Sequence, residues 1–172
     1  MYSKLRQKLN NNSFAEPNSS NNLISVVDKF NVKVEPLVEE YKSFIEKELI
    51  PINNIPLVQM LYHLIKDDVA VDTIKKLDYT KKVIEHVREI FDFKDVTYRS
   101  LQPNTAYNWH KDTGKVCIHI PLITNLGCRF VYEDINYYMP ANGNLYKVVN
   151  EDFHTFVNAG KLPRVHLTFE NL

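Results

Sequence analysis

The residues whose types and spacing could do chemistry lie in the C-terminal half of the chain. His110 and Asp112 form an H-x-D pair within NWHKDTG, and His154 follows Asp112 by 42 residues. In a strand, positions i and i+2 point to the same face, so both side chains of the pair can reach one point. Two imidazoles and one carboxylate form the facial triad that holds non-haem Fe(II) with open coordination positions, although Zn(II) could occupy the same ligands. Arg164 follows His154 by ten residues and could bind a carboxylate bidentately near the metal.

Each of these residues also has an ordinary structural interpretation. H-x-D pairs are common, and a single strand histidine is more often a hydrogen-bonded core residue than a metal ligand. The combination is more informative, because the pair, the distant histidine and the arginine all occur in order within a strand-rich region. The sequence therefore predicts a metal site.

The elements that must position this site begin with helices. Apolar residues at helical spacing predict three of them before residue 95. Pro36 suits the first turn of the first helix, and Pro51 ends it. The three apolar faces consist of Leu37, Tyr41, Phe44 and Ile45; of Leu57, Met60, Leu61, Leu64 and Ile65 in a helix that starts near Pro56; and of Val83, Val87, Ile90 and Phe91 in a helix from Asp78 to Phe93.

Strands dominate the remainder of the chain. From residue 95 onward, short β-branched and aromatic runs alternate with turn residues, which is typical of a sandwich, barrel or jelly roll. Helices followed by strands predict an α+β fold, mainly β, with the helices packed on one sheet. The predicted strands are Val96–Leu101, Val116–Thr124, Cys128–Tyr132, Asn136–Met139, Leu145–Val149, His154–Asn158 and Arg164–Phe169.

The length of 172 residues predicts a single domain with three parts. Residues 1–22 form an N-terminal arm, whose Asn/Ser-rich stretch 10–22 we expect to be a flexible loop or to lie on the surface. Residues 23–94 form a helical support region. Residues 95–172 form the strand-rich catalytic core.

The amino-acid composition indicates which classes of binding partner to expect. The chain carries 21 basic and 21 acidic side chains, whereas nucleic acid and anionic membranes require clustered lysine and arginine. Cys117 and Cys128 have no C-x-x-C spacing, and no apolar run has the length of a signal peptide or a membrane span. We therefore expect a cytoplasmic protein, with no nucleic-acid or membrane partner, that acts on a small molecule or a peptide.

The ordered set of H-x-D, histidine and arginine resembles the Fe(II)- and 2-oxoglutarate-dependent dioxygenases, whose fold is the double-stranded β-helix, a cupin-like jelly roll. Within that superfamily the sequence is most similar to aspartyl/asparaginyl β-hydroxylase domains. The segments YRSLQPNTAYNWHKD, KVCIHIPLITN and NGNLYKVVNEDFHTFVNAGKLPRVHLTF carry the likeness, which covers residues 95–170.

The resemblance implies a ligand set and a cosubstrate site. His110, Asp112 and His154 would ligate Fe(II), and Arg164 would pair with the distal carboxylate of 2-oxoglutarate, with O2 as the second cosubstrate. His119 falls where family members place a histidine against 2-oxoglutarate. Alternation agrees, because it directs His119 away from an apolar face made of Val116, Ile118, Ile120 and Leu122.

Further residues are candidates for the pocket. His166 shares a strand face with Arg164, and we favour a hydrogen bond in the pocket wall or core for it. Arg99 could reach the same pocket or lie on the surface. Trp109 and Tyr107 could face the substrate, although core packing is the favoured role for both.

The chain departs from the family pattern at three positions. Asn104 replaces the glycine of a Pro-Gly turn, and asparagine tolerates the left-handed conformation that such a turn requires. Asp112 stands where the better-known aspartyl/asparaginyl members have glycine, so the metal site has a full facial triad. Cys117 replaces a common basic residue.

The expected activity is hydroxylation of an unactivated C–H bond, such as the β-carbon of Asp or Asn in a peptide or a carbon of a free amino acid. Two alternatives stay open. One is a cupin-type metalloenzyme that does not use 2-oxoglutarate, and the other is a non-catalytic jelly-roll binding module.

Overall fold

The computed structural model describes residues 14–15, 23–28, 32–48, 59–112 and 116–171. They form two helices, α1 (Val34–Glu48) and α2 (Asp78–Ile90), a 3-10 helix (Asp72–Lys76), and twelve strands. The strands are β1 (Phe14–Ala15), β2 (Ile24–Asp28), β3 (Gln59–Lys66), β4 (Val69–Ala70), β5 (Asp95–Leu101), β6 (Thr105–Ala106), β7 (Val116–Ile123), β8 (Cys128–Tyr132), β9 (Asn136–Tyr137), β10 (Leu145–Val149), β11 (His154–Asn158) and β12 (Arg164–Glu170).

The strands pair into two sheets that face each other as a jelly roll. The major sheet has the order β2-β10-β7-β12-β5-β3-β4, and the minor sheet has the order β1-β9-β8-β11-β6. Every pairing is antiparallel except that of β1 with β9. The fold predicted from the sequence is therefore confirmed, and each of the seven predicted strands is present with ends that differ by at most two residues.

The major sheet has an apolar outer face, and its strand β12 presents polar residues to the other face, because strand residues alternate in direction. Val165, Leu167 and Phe169 of β12 join the core that α1 and α2 cover. Arg164 and His166, at alternate positions, are buried on the opposite face. We call this opposite face, which looks toward the minor sheet, the inner face. The helices thus leave the space between the two sheets available for a site.

The second predicted helix is wrong. Its described part forms β3, which pairs with β5. A β-bulge between His63 and Ile65 leaves both Leu64 and Ile65 buried. Two adjacent apolar residues break the alternation of a strand and fit the i+3, i+4 spacing of a helix, which explains the error. The region 23–94 is therefore not only helical, since it supplies β2, β3 and β4 to the major sheet. The predicted start near Pro56 lies outside the described residues.

Two smaller predictions concern turns and the arm. Asn104 has a φ of 53°, so it adopts the left-handed conformation expected of the residue that replaces glycine. Within the predicted flexible stretch 10–22, Phe14–Ala15 pairs with Asn136–Tyr137 of β9. The rest of the N-terminal arm 1–22 lies outside the described residues. The third predicted helix is present and ends at Ile90, because Phe91 is already extended with a φ of −148°.

Candidate metal centre

Backbone pairing next to β11 brings the predicted ligands together. The His110 N–H donates to the His154 carbonyl oxygen at 3.0 Å, and the His154 N–H donates to the His110 carbonyl oxygen at 2.8 Å. The two imidazole centroids lie 4.3 Å apart as a result. The Asp112 N–H donates to the Asn150 carbonyl oxygen at 2.9 Å and so continues this pairing. One ligand atom from each of His110, Asp112 and His154 lies within 4.8 Å of the others.

Hydrogen bonds to carbonyl oxygens fix the tautomers of both imidazoles. His110 Nδ1 lies 2.8 Å from the Asn108 carbonyl oxygen, and His154 Nδ1 lies 2.9 Å from the Asp152 carbonyl oxygen. A carbonyl oxygen only accepts, so each Nδ1 carries the proton and each Nε2 keeps a lone pair. This is the outer arrangement that orients histidines as metal ligands.

The donor set fits the metal that the sequence predicts. His154 is buried and stacks on Phe130, with ring centroids 5.1 Å apart. Burial, opposed by the Asp152 carbonyl, lowers the pKa of His154 and keeps its imidazole neutral, as metal binding requires. His110 and Asp112 are only half-buried, which leaves the site open on one side. Two neutral imidazoles and one carboxylate with open positions suit non-haem Fe(II).

Arg164 is a buried cation that faces the minor sheet. It is 3% exposed, and its guanidinium lies 5.3 Å from the centroid of the Phe156 ring. That ring lies in turn 6.3 Å from the imidazole of His110. Burial lowers the pKa of Arg164 to about 10, so the group remains charged at neutral pH. No carboxylate in the described parts of the chain forms an ion pair with Arg164.

His166, the neighbour of Arg164, has one ring nitrogen that finds no hydrogen-bond partner in the described parts of the chain. Arg164 Nη2 lies 3.1 Å from His166 Nδ1, and a guanidinium only donates, so this nitrogen accepts and His166 carries its proton on Nε2. His119 Nδ1 lies 3.2 Å from the same acceptor and must therefore donate to it. The buried His166 Nε2–H has no hydrogen-bond partner among the described residues.

A buried cation and an orphaned donor fit a carboxylate ligand. Both residues line a narrow cavity between the sheets whose other walls are Thr124, Cys128, Arg129, Phe130, Tyr137 and Met139. A buried donor or charge left unsatisfied costs free energy that a bound carboxylate would recover. The distal carboxylate of 2-oxoglutarate has the charge and the acceptor oxygens that this pair requires.

Arg99 lies on the inner face and is not a simple surface arginine. Its side chain is 25% exposed and forms an ion pair with Glu170, while its Nε donates to Thr168 Oγ1 at 3.1 Å. Glu170 was missed in the sequence. Alternation along β12 from Arg164 through His166 and Thr168 to Glu170 is the signal that could have found it.

The two predicted aromatic candidates differ in exposure. Tyr107 is 36% exposed and stacks on Phe156, with centroids 4.9 Å apart and an interplanar angle of 5°. It also meets His110 edge-on at 5.1 Å. Tyr107 therefore lines the open side of the site, and the core role favoured for it is wrong. Trp109 is half-buried beside the first ligand.

The remaining expectations concern cysteines and membranes. Cys117 and Cys128 are both buried and neither forms a disulfide. Among the residues with described positions, no helix has the length and apolar character needed to cross a membrane.

Comparisons with known proteins bear on the family and the fold of this chain. A family model described as aspartyl/asparaginyl beta-hydroxylase matches residues 60–171. A 2OG-Fe(II) oxygenase family oxidoreductase from Burkholderia pseudomallei is similar, with a TM-score of 0.60, 11% identity, and coverage of 87% of this chain and 84% of that chain. A Pseudomonas putida prolyl-4-hydroxylase has a TM-score of 0.54 at 16% identity, over 87% of this chain and 93% of its own.

A third solved structure has the same fold. It is the viral collagen prolyl hydroxylase of Paramecium bursaria Chlorella virus-1 in its 2OG complex, with a TM-score of 0.54, 13% identity, and coverage of 87% of this chain and 97% of that chain. A search of the curated proteins finds no match. At these identities the structural similarities establish the jelly-roll fold.

Proposed function

The chain belongs to the aspartyl/asparaginyl β-hydroxylase family, and we propose that it is an Fe(II)- and 2-oxoglutarate-dependent dioxygenase that hydroxylates an unactivated C–H bond. The observation that carries the proposal is a three-ligand site that shares the inter-sheet space with the buried Arg164. The names of the similar structures, a 2OG-Fe(II) oxygenase and two prolyl hydroxylases, support the same chemistry.

His110, Asp112 and His154 would hold Fe(II) through two Nε2 atoms and one carboxylate oxygen. When bound, Fe(II) with 2-oxoglutarate and O2 supplies an oxidation in which one oxygen atom enters the substrate C–H bond and the other enters succinate, with release of CO2. The residues of the chain contribute the geometry. Hydrogen bonds from both Nδ1–H groups to backbone carbonyl oxygens orient the imidazoles before the metal binds.

Arg164 would hold the distal carboxylate of 2-oxoglutarate, and this contact fixes the position of the keto acid end. The orphaned Nε2–H of His166 is a second donor for the same carboxylate. Phe130, Tyr137 and Met139 form part of the cavity wall, and the low polarity of such a wall would strengthen an ion pair formed there. His119 would act through His166, because its Nδ1–H donates to the His166 ring.

Anaerobic titration of the metal-free protein tests this proposal. We expect Fe(II) to bind stoichiometrically, and later addition of 2-oxoglutarate to produce a weak visible charge-transfer band, as expected of an iron–keto acid chelate. Arg164→Ala should bind Fe(II) normally but weaken 2-oxoglutarate binding about 30-fold or more, since it removes one partner of a buried charge pair.

The matched control is Arg88→Ala, which removes a half-exposed arginine of α2. It should leave the affinity for 2-oxoglutarate unchanged, whereas His154→Ala should lose Fe(II) binding. Absence of the band in the wild-type protein would contradict the proposal. An Arg164→Ala variant with wild-type affinity for 2-oxoglutarate would show that this residue does not hold the cosubstrate.

A further inference from the structure

An ion pair lies on the inner face of the major sheet, where most neighbours are neutral. Arg99 of β5 pairs with Glu170 of β12, and Thr168 Oγ1 accepts a second hydrogen bond, from Arg99 Nε at 3.1 Å. The side chain of Glu170 is 11% exposed and that of Arg99 is 25% exposed. Both charged side chains therefore keep part of their surface in contact with solvent.

A continuous set of contacts connects this ion pair to the metal ligands. Glu170 is the register partner of Cys117 on β7, and Asn150 Nδ2 lies 3.2 Å from Cys117 Sγ. The Asn150 carbonyl oxygen accepts the N–H of Asp112 at 2.9 Å. Charge from Asp112 also opposes the lowering of the Arg99 pKa that burial causes. Glu170 is thus linked to the ligand Asp112 through Cys117 and Asn150, so the ion pair lies on the Asp112 side of the metal centre.

Folding alone gives little reason for this pair. Burial of an ion pair carries a desolvation penalty. Apolar side chains of similar size at the same positions often stabilise a fold as well or better. The packing of the major sheet on the helices uses the opposite face, so the pair adds nothing to that core. Its position beside the metal centre, with part of Arg99 open to solvent, suits a binding role.

Charge balance defines the ligand that the pair fits. Fe(II), Asp112, Arg164 and 2-oxoglutarate sum to zero, and Arg99 with Glu170 also sums to zero. A ligand with a net charge would leave one charge without a partner in a half-buried space, which is costly. A zwitterion with adjacent carboxylate and ammonium groups lets each charge meet an opposite one.

We propose that the substrate is a free α-amino acid, whose carboxylate binds Arg99 and whose ammonium group binds Glu170. This inference rests on the proposed function and assigns its substrate class. Tyr107, which is exposed and stacked on Phe156 beside His110, forms the apolar wall along which the substrate side chain reaches the metal. A residue within a peptide lacks both charges and leaves the pair without its ligand.

The experiment uses the full-length protein loaded with Fe(II) and supplied with 2-oxoglutarate and O2. Succinate formation and the mass of the product are measured with each common free amino acid, with its N-acetyl form and with its amide. At least one free amino acid should stimulate succinate formation and gain one oxygen atom. Its kcat/KM should exceed that of both blocked forms about 30-fold or more, the effect of losing one partner of a buried charge pair.

Variants assign each charge separately. Glu170→Gln should reduce the preference for the free amino group over the N-acetyl form, and Arg99→Gln should reduce the preference for the carboxylate over the amide. Both preferences are ratios measured on one protein sample, so a loss of folded protein does not change them. Glu89→Gln, which alters an exposed carboxylate of α2, should keep both ratios at wild-type values.

Two outcomes would overturn the inference. In one, no free amino acid stimulates turnover, whether or not capped peptides do; in the other, the blocked forms react as well as the free one. The charge-transfer band formed anaerobically with Fe(II) and 2-oxoglutarate distinguishes a wrong substrate assignment from a wrong function. If the band forms, only the substrate assignment is wrong, and if it does not form, the proposed function itself fails.

Discussion

Two buried histidines should make the stability of the metal-free protein depend on pH. Burial, and next the charge of Arg164, lower the pKa of His119 and of His166 well below the ordinary 6.5. Both imidazoles therefore stay neutral in the folded state, whereas an unfolded chain protonates them as the pH falls below about 6.5. The unfolded state then holds more protons than the folded state. Stability accordingly rises with pH in this window and is lost as the pH falls.

The size of the effect follows from the same linkage. A histidine that remains neutral in the folded state lowers the free energy of unfolding by about 1.4 kcal/mol at one pH unit below its pKa in the unfolded chain. The two histidines together should reduce the free energy of unfolding by about 3 kcal/mol between pH 7.5 and pH 5.5. Urea unfolding in the presence of a chelator at both pH values measures this loss.

A double variant isolates the contribution of the pair. His119→Asn with His166→Gln removes both titrating groups, so the loss of stability between the two pH values should shrink by about 3 kcal/mol. His86→Gln, on α2, is the control and should keep the wild-type loss. An unchanged pH dependence in the double variant would refute the reasoning.

Three further predictions test the packing of the fold. Gly143 has a φ of 83°, and a Cβ there would lie 2.2 Å from the Val32 carbonyl oxygen, so Gly143→Ala should lower the free energy of unfolding by about 2 kcal/mol or more in urea titrations. Both carboxylate oxygens of Glu40 accept N–H groups in the first turn of α2 at 2.8 Å, so Glu40→Gln should cost about 1–2 kcal/mol in the same assay. Cys117 and Cys128 are buried, so a thiol reagent should modify them only in denaturant, and rapid modification of the native protein would contradict their positions.

The strands of the jelly roll are predictable from the sequence because the pattern of residue types that marks each strand is local. Each run from residue 96 onward combines β-branched or aromatic residues with flanking turn residues, and tertiary contacts did not override that signal. The segment at β3 was not readable in the same way. Its bulge places Leu64 and Ile65 side by side in the core, and a short apolar run cannot distinguish a helix from a strand by spacing alone.

The ligand residues were predictable from spacing, but their chemical states were not. The proton positions in His110 and His154 depend on carbonyl oxygens of Asn108 and Asp152, which only the loop conformation brings within reach. The partner of Arg99 also depends on register, because β5 and β12 lie far apart in sequence and pair only in the folded sheet. A single sequence does not show which distant strands pair or in which register.

The most direct test of the account is the fate of the carboxyl carbon that 2-oxoglutarate loses. Protein loaded with Fe(II) is incubated with O2, free amino acids and 2-oxoglutarate labelled at its C1 carboxyl, and labelled CO2 is collected. We predict O2-dependent release by the wild-type protein and none by His154→Ala, whose metal site lacks one ligand. Equal release by both proteins, or none by the wild type, would contradict the assignment of this chain as a 2-oxoglutarate-dependent dioxygenase.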